Sequence, residues 1–251
     1  MEQKALYDYL LLIGDNSAIL GQRLGELCGH GPELETDIAL TNVSLDLFGQ
    51  VRNYFQYAAK VAGEDATEDS IAMLRLEHEY KNSLLVEQPN RDFAYVICRQ
   101  FLFDTYHQLL LNELVNSKND QIAAIAKKSI KEVDYHYDIS STWMQRLGDG
   151  TEESNKRLQD AMDFLWRYSM ELFKPTDTEI IMAEMGVGPD LETLRPVYLE
   201  RVKDIFLKSN VIAKEDAIFQ YGGKTGTHTE YLGYILAEFQ YMQRAYPNMQ
   251  W

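Results

Sequence analysis

The chain has 251 residues, 45% of them hydrophobic, with 24 Lys and Arg against 39 Asp and Glu and a formal charge of -15. That length and composition suit a folded protein with a full core and exclude a disordered or staple-dependent one. An acidic field without a basic cluster repels phosphate backbones and anionic lipid, so no nucleic acid and no membrane surface is expected as a partner, and a protein with a basic surface fits better.

The N-terminal stretch MEQKALYDYLLLIGDNSAIL has no basic region followed by a cleavable apolar core, and no run approaches the roughly 20 apolar residues of a membrane span. Cys28 and Cys98 lie in helical patterns rather than in a close-spaced metal or redox motif. The expected compartment is the reducing cytoplasm.

Apolar residues recur at steps of three and four almost throughout, which predicts an all-α fold. Leu6, Leu10, Ile13, Ser17, Leu20, Leu24 and Leu27 form the first stripe, ended by Gly29, Gly31 and Pro32. A second helix is predicted from about Thr36 to Ala62, and a shorter, more polar helical connection from Asp65 to Glu87, stopped by Pro89. The third long helix covers about Arg91 to Val115 and the fourth about Gln121 to Leu147, both with polar residues at mid-stripe. Beyond Gly148-Asp149-Gly150 a fifth helix is predicted over about Glu152 to Phe173. A capping box at Thr176-x-x-Glu179 opens a short helix, and further helices follow near 190–208 and 227–245. The pattern implies two antiparallel helix pairs joined by a 63–90 crossover. The chain reads as one domain over 1–251, with a core bundle over about 3–147 and accessory helices over about 151–251.

A bundle of this kind can hold two metal ions when each of two helices supplies a glutamate and each of the other two a Glu-x-x-His pair on one face. On the fourth helix those paired stations are Val133 and His136, and on the second they are Leu47 and Gln50. Valine and leucine carry no donor atom and a glutamine amide is a poor transition-metal ligand. The nearest acids, Asp46 and Glu132, sit about 100° away around their helices. A working site would therefore need both helices to shift ligand spacing together. The plainer reading makes His136 a core histidine satisfied by a carboxylate such as Glu132 or Asp104. Asp104-x-x-His107 has ligand spacing, but reads as a surface or second-layer ion pair.

The stretches GQRLGELCGHGPELETDIALTNVSLDLFGQVRNY, LLVEQPNRDFA, IKEVDYH and GGKTGTHTEYLGYILAEFQYMQR, in order along nearly the whole chain, resemble the C-component family of bacterial 1,2-phenylacetyl-CoA epoxidases, which act in phenylacetate degradation. The resemblance implies a ferritin-like four-helix bundle with additional peripheral helices. It also implies a companion role to the catalytic A component, the subunit that carries the di-iron centre. That catalytic relative has D-E-x-G-H where this chain has Asp46-Leu47-Phe48-Gly49-Gln50, and E-E-x-F-H where it has Glu132-Val133-Asp134-Tyr135-His136. Matched position by position, two metal-binding glutamates have become apolar and one histidine has become glutamine. The chain thus resembles a degenerate copy of the di-iron subunit, with no cofactor of its own and no catalytic residue. Other members of the complex and an NADPH-dependent reductase are the further partners implied, and a homo-oligomer stays open. The rival readings are an autonomous di-metal oxidase using Glu132, His136, Asp104, Asp46 and Glu26, and a stand-alone storage or binding bundle.

Two weaker signals remain. GGKTGT at 222–227 invites a phosphate-loop reading, but that motif needs glycine where Ile218 stands, and Thr227-His228-Thr229-Glu230 reads instead as a capping box. A lysine in a glycine turn at a helix start could still bind an anion, which makes Lys224 a candidate contact for coenzyme A phosphates. Tyr54, Tyr57, Phe101, Tyr135, Tyr137 and Trp143 are candidates for core or for a protein interface.

Overall fold

The computed structural model describes residues 2–63, 65–214, 216–247 and 249. Four long helices dominate: α1 (Glu2–Leu27), α2 (Leu34–Ala62), α4 (Phe93–Leu114) and α5 (Asp120–Gly148), with the short α3 (Glu68–Met73) in the crossover. No strand occurs among the described residues. The starts of α4 and α5 are set by side-chain caps: Asp92 accepts from Tyr95 N at 3.1 Å and Asn119 from Ile122 N at 3.1 Å. Gly29, at φ 84°, supplies the left-handed turn that follows α1.

Contacts across the bundle fix its directions. Gln3 near the start of α1 donates to Val61 O near the end of α2, while Ser44 donates to Gly21 O, so α1 and α2 are antiparallel. Gln108 to Asp134 and Ser140 to Asp104 make α4 and α5 antiparallel, and Gln50 to Glu132 with His136 to Asp46 does the same for α2 and α5. Hence α1 and α5 run one way, and α2 and α4 the other. The chain must travel the length of the bundle between α2 and α4, which is the ferritin-like connectivity.

That crossover differs from the sequence expectation. Only α3 and a 3-10 turn at Glu77–Glu79 are helical in it, and Tyr80, Asn82, Ser83, Leu85, Val86, Glu87 and Gln88 run as a fully buried strap. A non-helical strap in a core must find partners for its backbone groups. Lys81 N donates to Asp15 Oδ2 (2.8 Å), Ser83 N to Asn16 Oδ1 (2.9 Å) and Leu84 N to Glu171 Oε2 (2.6 Å). Arg23 donates twice to Glu87 O and Arg99 to Gln88 O. Asp15, Asn16 and Arg23 of α1 and Arg99 of α4 therefore serve the strap. Arg75 completes the arrangement as a buried ion pair with Asp15, its guanidinium 4.2 Å from the Tyr80 ring centroid.

The accessory elements are α6 (Glu152–Leu165), running on as a 3-10 segment Trp166–Phe173 in place of the single predicted helix, then α7 (Asp177–Glu184) and α8 (Leu191–Lys208). Thr176 and Glu179 form the capping box predicted for α7. The last predicted helix is two: α9 (Glu230–Phe239) and α10 (Tyr241–Ala245). The capping box predicted at Thr227 is not formed. Thr229 occupies the cap position, makes no side-chain cap bond, and donates its hydroxyl to Glu87 at 2.7 Å.

Candidate functional site

The four stations that would hold metal lie at the meeting of α2 and α5, and Leu47, Gln50, Val133 and His136 are all buried there. Leu47 and Val133 belong to the hydrophobic core. His136 Nε2 faces Asp46 Oδ2 at 3.1 Å, so of the possible core partners Asp46, Asp104 and Glu132 it is Asp46 that satisfies it. Its Nδ1 has no hydrogen-bond partner. Gln50 Nε2 reaches Glu132 Oε2 at 3.4 Å, leaving the amide oxygen unpaired. Partial burial pushes the Glu132 carboxyl above its ordinary range, opposed by the Gln50 amide.

Asp104 and His107 do not form the ion pair expected of them, and both are fully buried rather than at the surface. The Asp104 carboxylate accepts from Gln100 Nε2 (2.7 Å) and Ser140 Oγ (2.8 Å), and burial raises its pKa to about 6. His107 packs against Phe103 with ring centroids 5.1 Å apart and neither ring nitrogen bonded; burial, then the neighbouring His136, lowers its pKa to about 3. α4 is apolar on nearly every face, so its i, i+3 spacing leads into core rather than to solvent. Glu26 lies exposed at the end of α1, engaged by Arg23 at 2.8 Å, and does not converge on this centre.

Among the described residues, no three His, Cys, Asp or Glu side chains are placed to hold a metal ion. The side chains present do not fit a carboxylate-bridged di-iron pair, because Leu47 and Val133 offer only hydrocarbon and the acids one residue away are engaged by His136 and Gln50.

Lys224 is buried. Its ammonium lies 2.8 Å from Glu179 Oε1 and donates to Lys174 O at 3.0 Å, partners that leave it facing the chain's own groups. The glycine turn does hold an anion, but an internal one: Gly222 N donates to Glu171 Oε1 at 2.7 Å. Of the aromatic candidates, Tyr54 and Phe101 are buried, Tyr57, Tyr137 and Trp143 pack partly against the core, and only Tyr135 is exposed. The structural roles of Glu87, Glu171 and His228 were not legible in the sequence. The acid ending the apolar run Leu84-Leu85-Val86 was the one signal for Glu87.

Direction, crossover and core together define a ferritin-like helical protein. The family described as phenylacetic acid catabolic protein matches residues 1–251, and the chain belongs to that family. It is 46% identical over 243 residues, covering 97% of this chain and 98% of the relative, to the C subunit of the 1,2-phenylacetyl-CoA epoxidase of Escherichia coli (strain K12).

Proposed function

We propose that this chain is a non-catalytic structural subunit of a cytoplasmic phenylacetyl-CoA epoxidase complex, supporting the di-iron catalytic subunit. The complex would insert one atom of O2 into the aromatic ring of phenylacetyl-CoA, with electrons drawn from NADPH through a reductase. The observation that carries the reading is the filling of the metal stations by Leu47 and Val133, with Asp46 paired to His136. No helix among the described residues is long and apolar enough to cross a membrane, which agrees with the compartment proposed.

An apolar outer face supports a role in assembly. Leu34 (70% exposed), Ile38 (51%) and Leu45 (62%) fall within about 40° of one another around α2. Leu45 and Tyr135 (50% exposed) each precede a member of the Asp46–His136 contact by one residue, so the face spans both helices over the degenerate centre. Large exposed apolar side chains grouped in this way mark a partner surface.

Co-expression tests the proposal. The catalytic partner produced with this chain should be soluble, carry iron and epoxidise phenylacetyl-CoA, and without it should lose solubility or activity. Full activity of the catalytic partner on its own, or stoichiometric iron in the purified chain that is lost on changing His136 and Glu132, would overturn it.

A further inference from the structure

Glu87 lies at the end of the buried strap with its side chain closed to solvent. Oε1 accepts from Thr229 N (2.6 Å) and Thr229 Oγ1 (2.7 Å), and Oε2 accepts from Asn82 Nδ2 (2.9 Å) and lies 2.8 Å from His228 Nδ1. A carboxyl group surrounded by donors is an ionised acceptor, so His228 Nδ1 must carry a proton to meet it. The other ring nitrogen, Nε2, lies 2.9 Å from Tyr80 O, a carbonyl that also has no hydrogen to give. Neutral imidazole has one N–H, and would set a lone pair against one of these two oxygens in a site where the ring is fully buried. Against an ionised Glu87, held by the three other donors, only the imidazolium satisfies both contacts.

We infer that His228 is an imidazolium in the folded protein and that the Glu87–His228 pair is a proton-dependent clasp holding the C-terminal segment, 222–245, onto the buried crossover strap. Loss of the ring proton sets a lone pair against one of the two oxygens and loosens the clasp. The segment has other ties to the crossover, from Thr229 N and Oγ1 to the Glu87 carboxylate, from Gln240 Nε2 to Arg75 O and Tyr80 Oη, and from Arg244 Nη2 to Arg75 O, and of all these contacts only those of the His228 ring change with its proton. Opening is thus local, with the α1, α2, α4 and α5 bundle left intact.

The electrostatics agree in direction. Burial alone would pull the His228 pKa down, but the Glu87 bond and charge, the Tyr80 carbonyl and the more distant Asp15 on α1 outweigh it, and the pKa is raised. Among the groups around the pair, Arg75 is itself paired with Asp15, Arg23 of α1 is spent on the Glu87 carbonyl and on Glu26, and Tyr168 from the segment after α6 faces Glu87 as a neutral phenol. A histidine whose folded pKa exceeds its unfolded value contributes stability that is complete below the unfolded value and is lost as pH rises through the folded one.

Two measurements on the full chain test the clasp. In protein with nitrogen-labelled histidine, assigned by comparison with His228→Gln, the wild-type ring should show two protonated nitrogens at neutral pH. A single protonated nitrogen there would overturn the inference without reliance on any variant. Amide exchange in 222–245, taken relative to α4 to remove the intrinsic pH dependence of exchange, should lose about tenfold or more of its protection between neutral pH and about pH 9. In Glu87→Gln the relative protection should be low at both values. Protection that tracks α4 across the range in the wild type would count against a proton-dependent clasp.

Discussion

Nε2 of His136 lies 3.1 Å from Oδ2 of Asp46, tying the middle of α5 to the middle of α2 beside the buried Leu47. The contact satisfies one nitrogen of a fully buried ring. Asp46→Ala removes that partner and should lower stability by about 1–2 kcal/mol, the usual cost of an orphaned buried polar group. Asp46→Asn keeps an acceptor and should recover most of it. Urea unfolding of the two variants separates a hydrogen-bond role from a purely electrostatic one.

Val133→Glu places a carboxylate on α5 in a position with no exposure to solvent. A lone carboxylate in core should cost roughly 3 kcal/mol or more at neutral pH. The cost should shrink as pH falls, because the protonated acid is cheaper to bury. Thermal melts at acid and alkaline pH, with and without ferrous iron, test this. A variant that iron restores to wild-type stability would show that the remaining ligands can still assemble.

Asp104 and His107 give the core two opposed pH dependences. Burial raises Asp104 to about 6 from an ordinary carboxylate value of 3.8, so the folded state holds this proton more tightly and stability falls as pH rises from about 4 through 6. Asp104→Asn should therefore gain on the order of 1–2 kcal/mol above neutrality, with the unpaired Gln100 oxygen free to accept from the new amide. His107 is lowered to about 3, so the unfolded chain takes up its proton first and stability falls as pH drops below about 6.5. His107→Gln should remove an acid loss of about 2 kcal/mol at about pH 5. Denaturant midpoints across pH in each variant and in the double variant resolve the two slopes.

How far these features could be read from sequence depended on where their partners lie. The long helices and the caps at Thr176 and Glu179 were legible because a helix repeats locally and a capping box closes within four residues. That Leu47 and Val133 offer no donor atom was legible because the residue type alone decides it. The strap was not. Its polar residues resemble the exposed face of a helix, and the groups that satisfy its backbone and side chains, Asp15, Asn16, Glu171 and His228, come from distant parts of the chain. Asp104-x-x-His107 misled for a related reason: spacing places two side chains on one face but does not say whether that face meets water.

The apolar face of α2 gives the sharpest test of the assembly role. Ile38 and Leu45 are exposed, so exchanging either for glutamate removes little core packing and should leave the melting temperature within a few degrees of wild type. In a complex the same side chains would be desolvated, and a buried, unpaired carboxylate there should weaken binding to the catalytic partner by tenfold or more, roughly 1.4 kcal/mol at the least. Leu207→Glu on α8 is the control, equally exposed in the free chain but on an accessory helix rather than on α2. Co-purification and titration of the catalytic partner onto each variant give the comparison. Loss of binding in Ile38→Glu and Leu45→Glu with retention in Leu207→Glu places the partner over α2. Unchanged binding in both would mean that the complex is held through another face of the bundle.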